Sequence, residues 1–199
     1  MRAIVVGFPK SGTSTLQQAL QKSGLRCAHW RYRGQPIGRL VYDGWFDTGD
    51  PFAHFPTLDV LTQMDICLPA EGLNDWPNLD IPLLLAIREV HPTCLFILNA
   101  RDPAQTADSI LRWGDLAKRL SEGAQPGLPM GRGQKRADLV RWIATQLSAL
   151  RRIFAADPHF LDLDIAAPDA PQRLGAALGL EITWWGKANE NAPKLPATG

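Results

Sequence analysis

The alternation of short, β-branched apolar runs with helix-length segments constrains this chain more than any other feature. Residues 3–7 (AIVVG), 26–30 (RCAHW), 60–65 (VLTQMD), 94–99 (CLFILN) and 160–163 (FLDL) read as strands. A helix is expected from near Ser14 to just before Gly24, with Leu16, Ala19 and Leu20 on its apolar face. A second is expected over 82–90, opened by Pro82 and stopped by His91-Pro92, and a third over 103–113. Leu139, Ile143, Leu147, Leu150 and Phe154 recur at helical spacing, and 171–178 reads as a short last helix. Residues 31–58 mix Gly, Pro and aromatics and are assigned no element; 121–136 reads as a Gly/Pro/Arg loop. Strands alternating with helices specify an α/β fold of three layers, P-loop-like, with a mostly parallel central sheet flanked by helices. Ligands of such sheets bind beyond the carboxyl ends of the strands. The turns after residue 7 and after Asn99 therefore matter most.

The bulk numbers narrow the partners. A chain of 199 residues suits one domain spanning 1–199, with 190–199 expected to be an irregular tail. Apolar residues at 45% and charged residues at 21% are globular values, and a formal net charge of +1 gives no field that selects nucleic acid or an anionic membrane. Any anion must be held by a local site. Cys27, Cys67 and Cys94 are odd in number and widely spaced, which argues against a disulfide scaffold or a zinc site and for small packed side chains. The first apolar run lacks the length and cleavage site of a signal peptide, and no stretch approaches the ~20 apolar residues of a membrane span. The expected compartment is the cytoplasm.

The first turn, GFPKSGTST over 7–15, follows a buried strand and opens a helix. Gly12 permits a tight turn. The N–H groups of Ser11 to Thr15 then converge at a helix N-terminus, a site for a phosphate-like anion. Ser11, Thr13, Ser14 and Thr15 add hydroxyls and Lys10 adds charge. Gly7 and Gly12 have the spacing of a Walker A loop, but Thr13 stands where that motif has Lys. After the strand at 94–99, Arg101 offers a planar fork and Ser109, eight residues on, a hydroxyl, so both can face one anion.

Pro9-Lys10-Ser11-Gly12-Thr13 resembles the P-K-S-G-T loop of sulfotransferases that use 3′-phosphoadenosine-5′-phosphosulfate (PAPS). ILNARDPAQTADS over 97–109 is similar to that family's second motif, and Asp102-Pro103 is similar to the residues after the Arg in its short bacterial members. The resemblance covers residues 3–24 and 94–113. It implies a transferase that moves a sulfuryl group from PAPS, as co-substrate, to a hydroxyl or amine of a small-molecule or glycan acceptor, releasing 3′-phosphoadenosine 5′-phosphate (PAP). It assigns Lys10 to the bridging or sulfuryl oxygens, Ser11, Gly12, Thr13, Ser14 and Thr15 to the 5′-phosphate, and Arg101 with Ser109 to the 3′-phosphate. Thr15 holds the place where cytosolic members carry the Trp used against adenine. No metal is expected, because the loop itself neutralises the leaving group.

Transfer to a hydroxyl also needs a base. The resemblance places it near a strand end between the two motifs, where Asp65, Asp75, Asp80 and His29 are the candidates. Asp65 is preferred because it ends the run at 60–65. The basic loop 131–136 is a solvated segment by composition, and a cover for the 3′-phosphate by the resemblance. Trp113, Trp184 and Trp185 are either packing or the wall of an acceptor pocket. The competing readings are a small P-loop kinase or NTPase, and a nucleotide-binding module without catalysis.

Overall fold

The structure, a computed structural model, describes residues 1–186 and 188. The expected irregular tail at 190–199 lies outside the described residues. Along the chain the elements are β1 (Ala3–Val5), α1 (Thr13–Lys22), β2 (Cys27–His29), β3 (Arg31–Tyr32), β4 (Gln35–Pro36), α2 (Ile37–Thr48), β5 (Val60–Gln63), β6 (Ile66–Leu68), β7 (Leu73–Asp75) and α3 (Ile81–Val90). There follow β8 (Leu95–Ala100), α4 (Pro103–Arg112), α5 (Leu116–Glu122), α6 (Arg136–Ile153), β9 (Phe160–Asp164) and α7 (Ala170–Leu178).

β1 sits at the centre because its residues can be buried on both faces. Ile4 and Val6 point into an apolar cluster that includes Leu83, Ile87, Ile110, Ile143 and Leu147, whereas Ala3 and Val5 point into one with Leu16, Leu20, Leu174 and Leu178. Side chains alternate across a strand, so the two clusters are the two faces of one sheet. α1 and α7 cover one face; α2, α3, α4 and α6 cover the other. The sheet order is β4-β3-β2-β5-β1-β8-β9, with β2, β5, β1, β8 and β9 parallel and β3 and β4 antiparallel at one edge. The three-layer α/β expectation is met.

The topology locates the crevice. After β1 the chain winds outward to β2 and returns to β5; it then crosses through α3 to β8, on the opposite side of β1. The carboxyl ends of β1, β5 and β8 therefore flank the point where the winding changes direction, which is where ligands enter folds of this kind.

Three expectations need correction. Residues 31–58, assigned no element, contain β3, β4 and the twelve-residue α2. Gly38 in that helix looks like a breaker, but a Cβ there would lie 2.5 Å from the Met64 carbonyl oxygen, so the glycine allows close packing. α5 was not expected at all; its apolar signal is only Leu116 and Leu120, both buried. The strand expected over 60–65 ends at Gln63, which leaves Asp65 in the turn between β5 and β6.

Candidate functional site

The loop after β1 is held from beneath. The Ser11 hydroxyl donates to the Phe8 carbonyl and accepts from Asn99 Nδ2 at 2.6 Å. Asn99 Nδ2 also reaches the Phe8 and Ser11 carbonyls, at 3.4 and 3.3 Å. Asn78 Nδ2 holds the Gly7 carbonyl at 2.6 Å. Backbone groups in a buried turn need partners, and the ends of β8 and of the 76–79 turn supply them. This corrects one expectation: the Ser11 hydroxyl is committed inward and Ser11 is 2% exposed, so its side chain is not available to an anion.

Above that support the loop is shaped to concentrate positive charge. Lys10 has φ of 65° and Gly12 has φ of 90°. A lysine in the left-handed region is strained, and such strain gathers at functional sites. Gly12 is the N-cap of α1 and offers no side chain to the first-turn N–H groups, whereas Asp80 caps α3 and Asp102 caps α4 through their carboxylates. A Cβ on Gly12 would also lie 2.0 Å from Ile165 Cδ1. Gly12→Ala is therefore expected to lower stability by about 1–2 kcal/mol, the cost of the left-handed backbone for a residue with Cβ. Urea denaturation checks this, and a change within about 0.5 kcal/mol would contradict it.

Two cations share this end of the sheet. Arg101 Nη1 donates to the Lys10 carbonyl at 3.1 Å, and its Nε reaches Gln105 Oε1 at 3.5 Å. Lys10 Nζ lies 3.3 Å from the centroid of the Trp113 ring. Burial, and then the nearby Arg101 charge, push the Lys10 ammonium below its ordinary pKa. Among the described residues, neither Lys10 nor Arg101 makes an ion pair with a carboxylate.

Both open onto one cleft of about 1210 Å³, lined also by Gly12, Thr13, Ser14, Thr15, His29, Asp65, Ser109 and Trp113. Of the expected donor-site residues, Ser11 alone is absent from its walls. Ser109, on α4, is 5% exposed. Trp185 lines the cleft as well, while Trp184 takes the Lys22 ammonium at 4.3 Å. Residues 131–136 of the basic loop do not line the cleft: Arg136 pairs with Asp108 at 2.6 Å and Arg132 with Asp138 at 3.7 Å.

The candidates for the base separate cleanly. Asp75 is held by Arg39 at 3.1 and 3.3 Å. Asp80 caps α3 and accepts from the Tyr42 hydroxyl at 2.9 Å. Neither lines the cleft. His29 does, and its Nδ1 lies 3.0 Å from Thr62 Oγ1. That hydroxyl donates to the Ala28 carbonyl at 3.1 Å, which assigns the imidazole proton to Nδ1. Burial pulls His29 down to about 4. Asp65 is 4% exposed, and burial pushes it up to about 7, against the hydrogen bonds that favour its charge. Gln63 Nε2 donates to Asp65 Oδ2 at 3.1 Å, and Asn78 Nδ2 to Oδ1 at 3.5 Å. At neutral pH a carboxyl near 7 is the better matched proton acceptor.

Asn99, Asn78 and Gln63 were not singled out from sequence. Amides carry no local signal, and their partners lie up to 91 residues away. Comparison with protein-family models and with curated proteins finds no match to this chain.

Proposed function

We propose that the chain transfers a sulfuryl group from PAPS to a hydroxyl or amine of an acceptor. The observation that carries the reading is the pair of cations, Lys10 and Arg101, facing a cleft that also holds a buried carboxyl titrating near neutrality. Two like charges held together, with no carboxylate paired to either among the described residues, form a site for an anion. The resemblance of the two motifs to those of PAPS-dependent enzymes says which anion. The acceptor oxygen or nitrogen attacks sulfur as its proton passes to Asp65. The bond from sulfur to the 5′-phosphate oxygen breaks, and the electron pair stays on that oxygen. Lys10 and the first-turn N–H groups of α1 stabilise the charge that grows there. The products are PAP and a sulfate ester, or a sulfamate where the acceptor is an amine, and Asp65 returns its proton to solvent.

Arg101 and Ser109 are assigned the 3′-phosphate. A charge-assisted hydrogen bond contributes about 1.5–3 kcal/mol. Arg101→Ala is therefore expected to weaken PAP binding on the order of ten- to a hundredfold. Ser109→Ala should cost less, because its neutral hydroxyl makes one bond where the guanidinium can make two. Calorimetry with PAP, AMP and ATP/Mg²⁺ is the measurement. PAP should bind tightest. AMP binding as tight as PAP removes the 3′-phosphate site, and preferred binding of ATP/Mg²⁺ moves the reading to a phosphoryl-transfer enzyme.

A further inference from the structure

We propose that Gln63 is a positioning residue that couples filling of the anion loop to the proton affinity of the base: Gln63 Oε1 accepts from Thr13 Oγ1 at 3.3 Å while its Nε2 donates to Asp65 Oδ2 at 3.1 Å. The inference rests on reading the loop as an anion site. Gln63 ends β5, where its carbonyl also accepts from Trp30 N at 3.0 Å, so the backbone of the link is fixed by the sheet. Its side chain spans the gap between the first turn of α1 and the turn that bears Asp65.

The chemistry of the amide explains the residue type. One planar group must accept at one end and donate at the other, which Gln does and Glu or Leu cannot. A threonine hydroxyl has a single proton to give. In the free chain Thr13 gives it to Gln63, and the amide is held against Asp65. An anion in the loop competes for the same proton. Once Thr13 turns to the anion, Gln63 loses the contact that fixes it and its hold on the carboxylate loosens. Asp65 then becomes a stronger base only when the loop is filled. The arrangement discourages deprotonation of an acceptor before a donor is present.

The groups around Asp65 leave room for this link to matter. Lys10 from the loop, Arg101 beyond β8, His29 at the end of β2, Cys67 on β6 and Arg119 on α5 line the same cleft. The influences resolved on Asp65 are burial, a backbone N–H and Gln63. A hydrogen bond to the ionised form lowers a carboxyl's pKa, so losing it raises the value.

The test reads Asp65 directly, by ¹³C NMR of its carboxyl carbon, assigned by the signal lost in Asp65→Asn. Wild type, Gln63→Met and Thr13→Val are each titrated free, with PAP and with inorganic pyrophosphate. In the free proteins Gln63→Met should raise the Asp65 pKa by about one unit, and Thr13→Val should raise it in the same direction, because the contact that fixes the amide is gone. Filling the loop should raise it in all three, because the bound anion is itself negative. The rise should be largest in wild type and smaller by a similar amount in both variants. Equal free-state values in wild type and Gln63→Met, or equal rises in all three proteins, would overturn the coupling. If PAP binds and the pattern is absent, the coupling falls and the donor reading stands. If pyrophosphate binds with the pattern and PAP does not bind, the donor reading falls and the coupling stands. If neither anion binds, both fall.

Discussion

Lys10→Ala is expected to slow cleavage of PAPS by on the order of a hundredfold or more, while PAP affinity changes much less. The asymmetry comes from where the ammonium acts. Negative charge on the bridging oxygen is small in bound PAPS and grows as the bond to sulfur breaks. A cation beside it therefore stabilises the transition state more than the ground state. Bound PAP still has the first-turn N–H groups of α1, Arg101 and Ser109 to hold it. The free chain already separates these roles. The Lys10 carbonyl anchors Arg101, a backbone contact that alanine keeps, whereas the ammonium rests on the Trp113 ring. Release of labelled sulfate from PAPS, with water as the acceptor, measures the rate before any natural acceptor is known. Calorimetry with PAP measures the affinity. A near-normal rate removes Lys10 from the chemistry. An equal loss of rate and affinity would make it a binding residue only.

The range of each signal decides how much of the fold is legible in the chain alone. β1 and β8 were legible because parallel strands buried on both faces are uninterrupted apolar runs. α3 was legible because Pro82 opens it and His91-Pro92 stops it, and α4 because a segment from Pro103 follows the clearest strand, all signals within a few residues. α2 was not: its Gly38 serves a contact with the Met64 carbonyl, and nothing local announces a neighbour more than twenty residues away. β3 and β4 are two-residue strands at a sheet edge, below any periodicity that a run can show.

The candidate site divides along the same line. Lys10, Gly12, Thr13 and Arg101 were legible because backbone geometry at two strand ends sets their positions. The orientation of Ser11 was not, since it depends on Asn99 across the sheet. Among Asp65, Asp75, Asp80 and His29 the sequence favours Asp65 as the end of the run at 60–65, but the strand stops at Gln63, so that ground does not hold. Arg39 and Tyr42, which occupy Asp75 and Asp80, come from α2, the helix that went unrecognised. The burial of Asp65 singles it out, and only the packed structure supplies that.

That burial leads to the second large effect: Asp65→Asn should abolish sulfuryl transfer, keep PAP binding, and make the chain more stable at neutral and alkaline pH. Burial holds the native carboxyl near 7, above the ordinary 3.8. Between those values the folded chain keeps a proton that the unfolded chain has released. Stability therefore falls as pH rises from 3.8 towards about 7, and levels off above it. Asparagine is neutral in both states and has no such slope. The interval from 3.8 to about 7, at about 1.4 kcal/mol per pH unit, caps the difference at about 4 kcal/mol. Any constant offset from a changed hydrogen bond to Gln63 leaves the slope intact, so the pH dependence is the quantity to read. Urea denaturation of both proteins at pH 5, 6, 7 and 8 should show the variant gaining on wild type with each step, and the gain flattening near the top. Over the same range the wild-type kcat/KM for PAPS cleavage, which reports the free chain, should climb to a plateau above about 7, as the carboxyl ionises and becomes able to accept a proton. Under the proposed function one ionisation costs stability and confers activity, which is the usual exchange at a functional site. A variant that retains activity would remove Asp65 from the proton transfer, and a stability difference flat in pH would mean that its carboxyl is charged throughout.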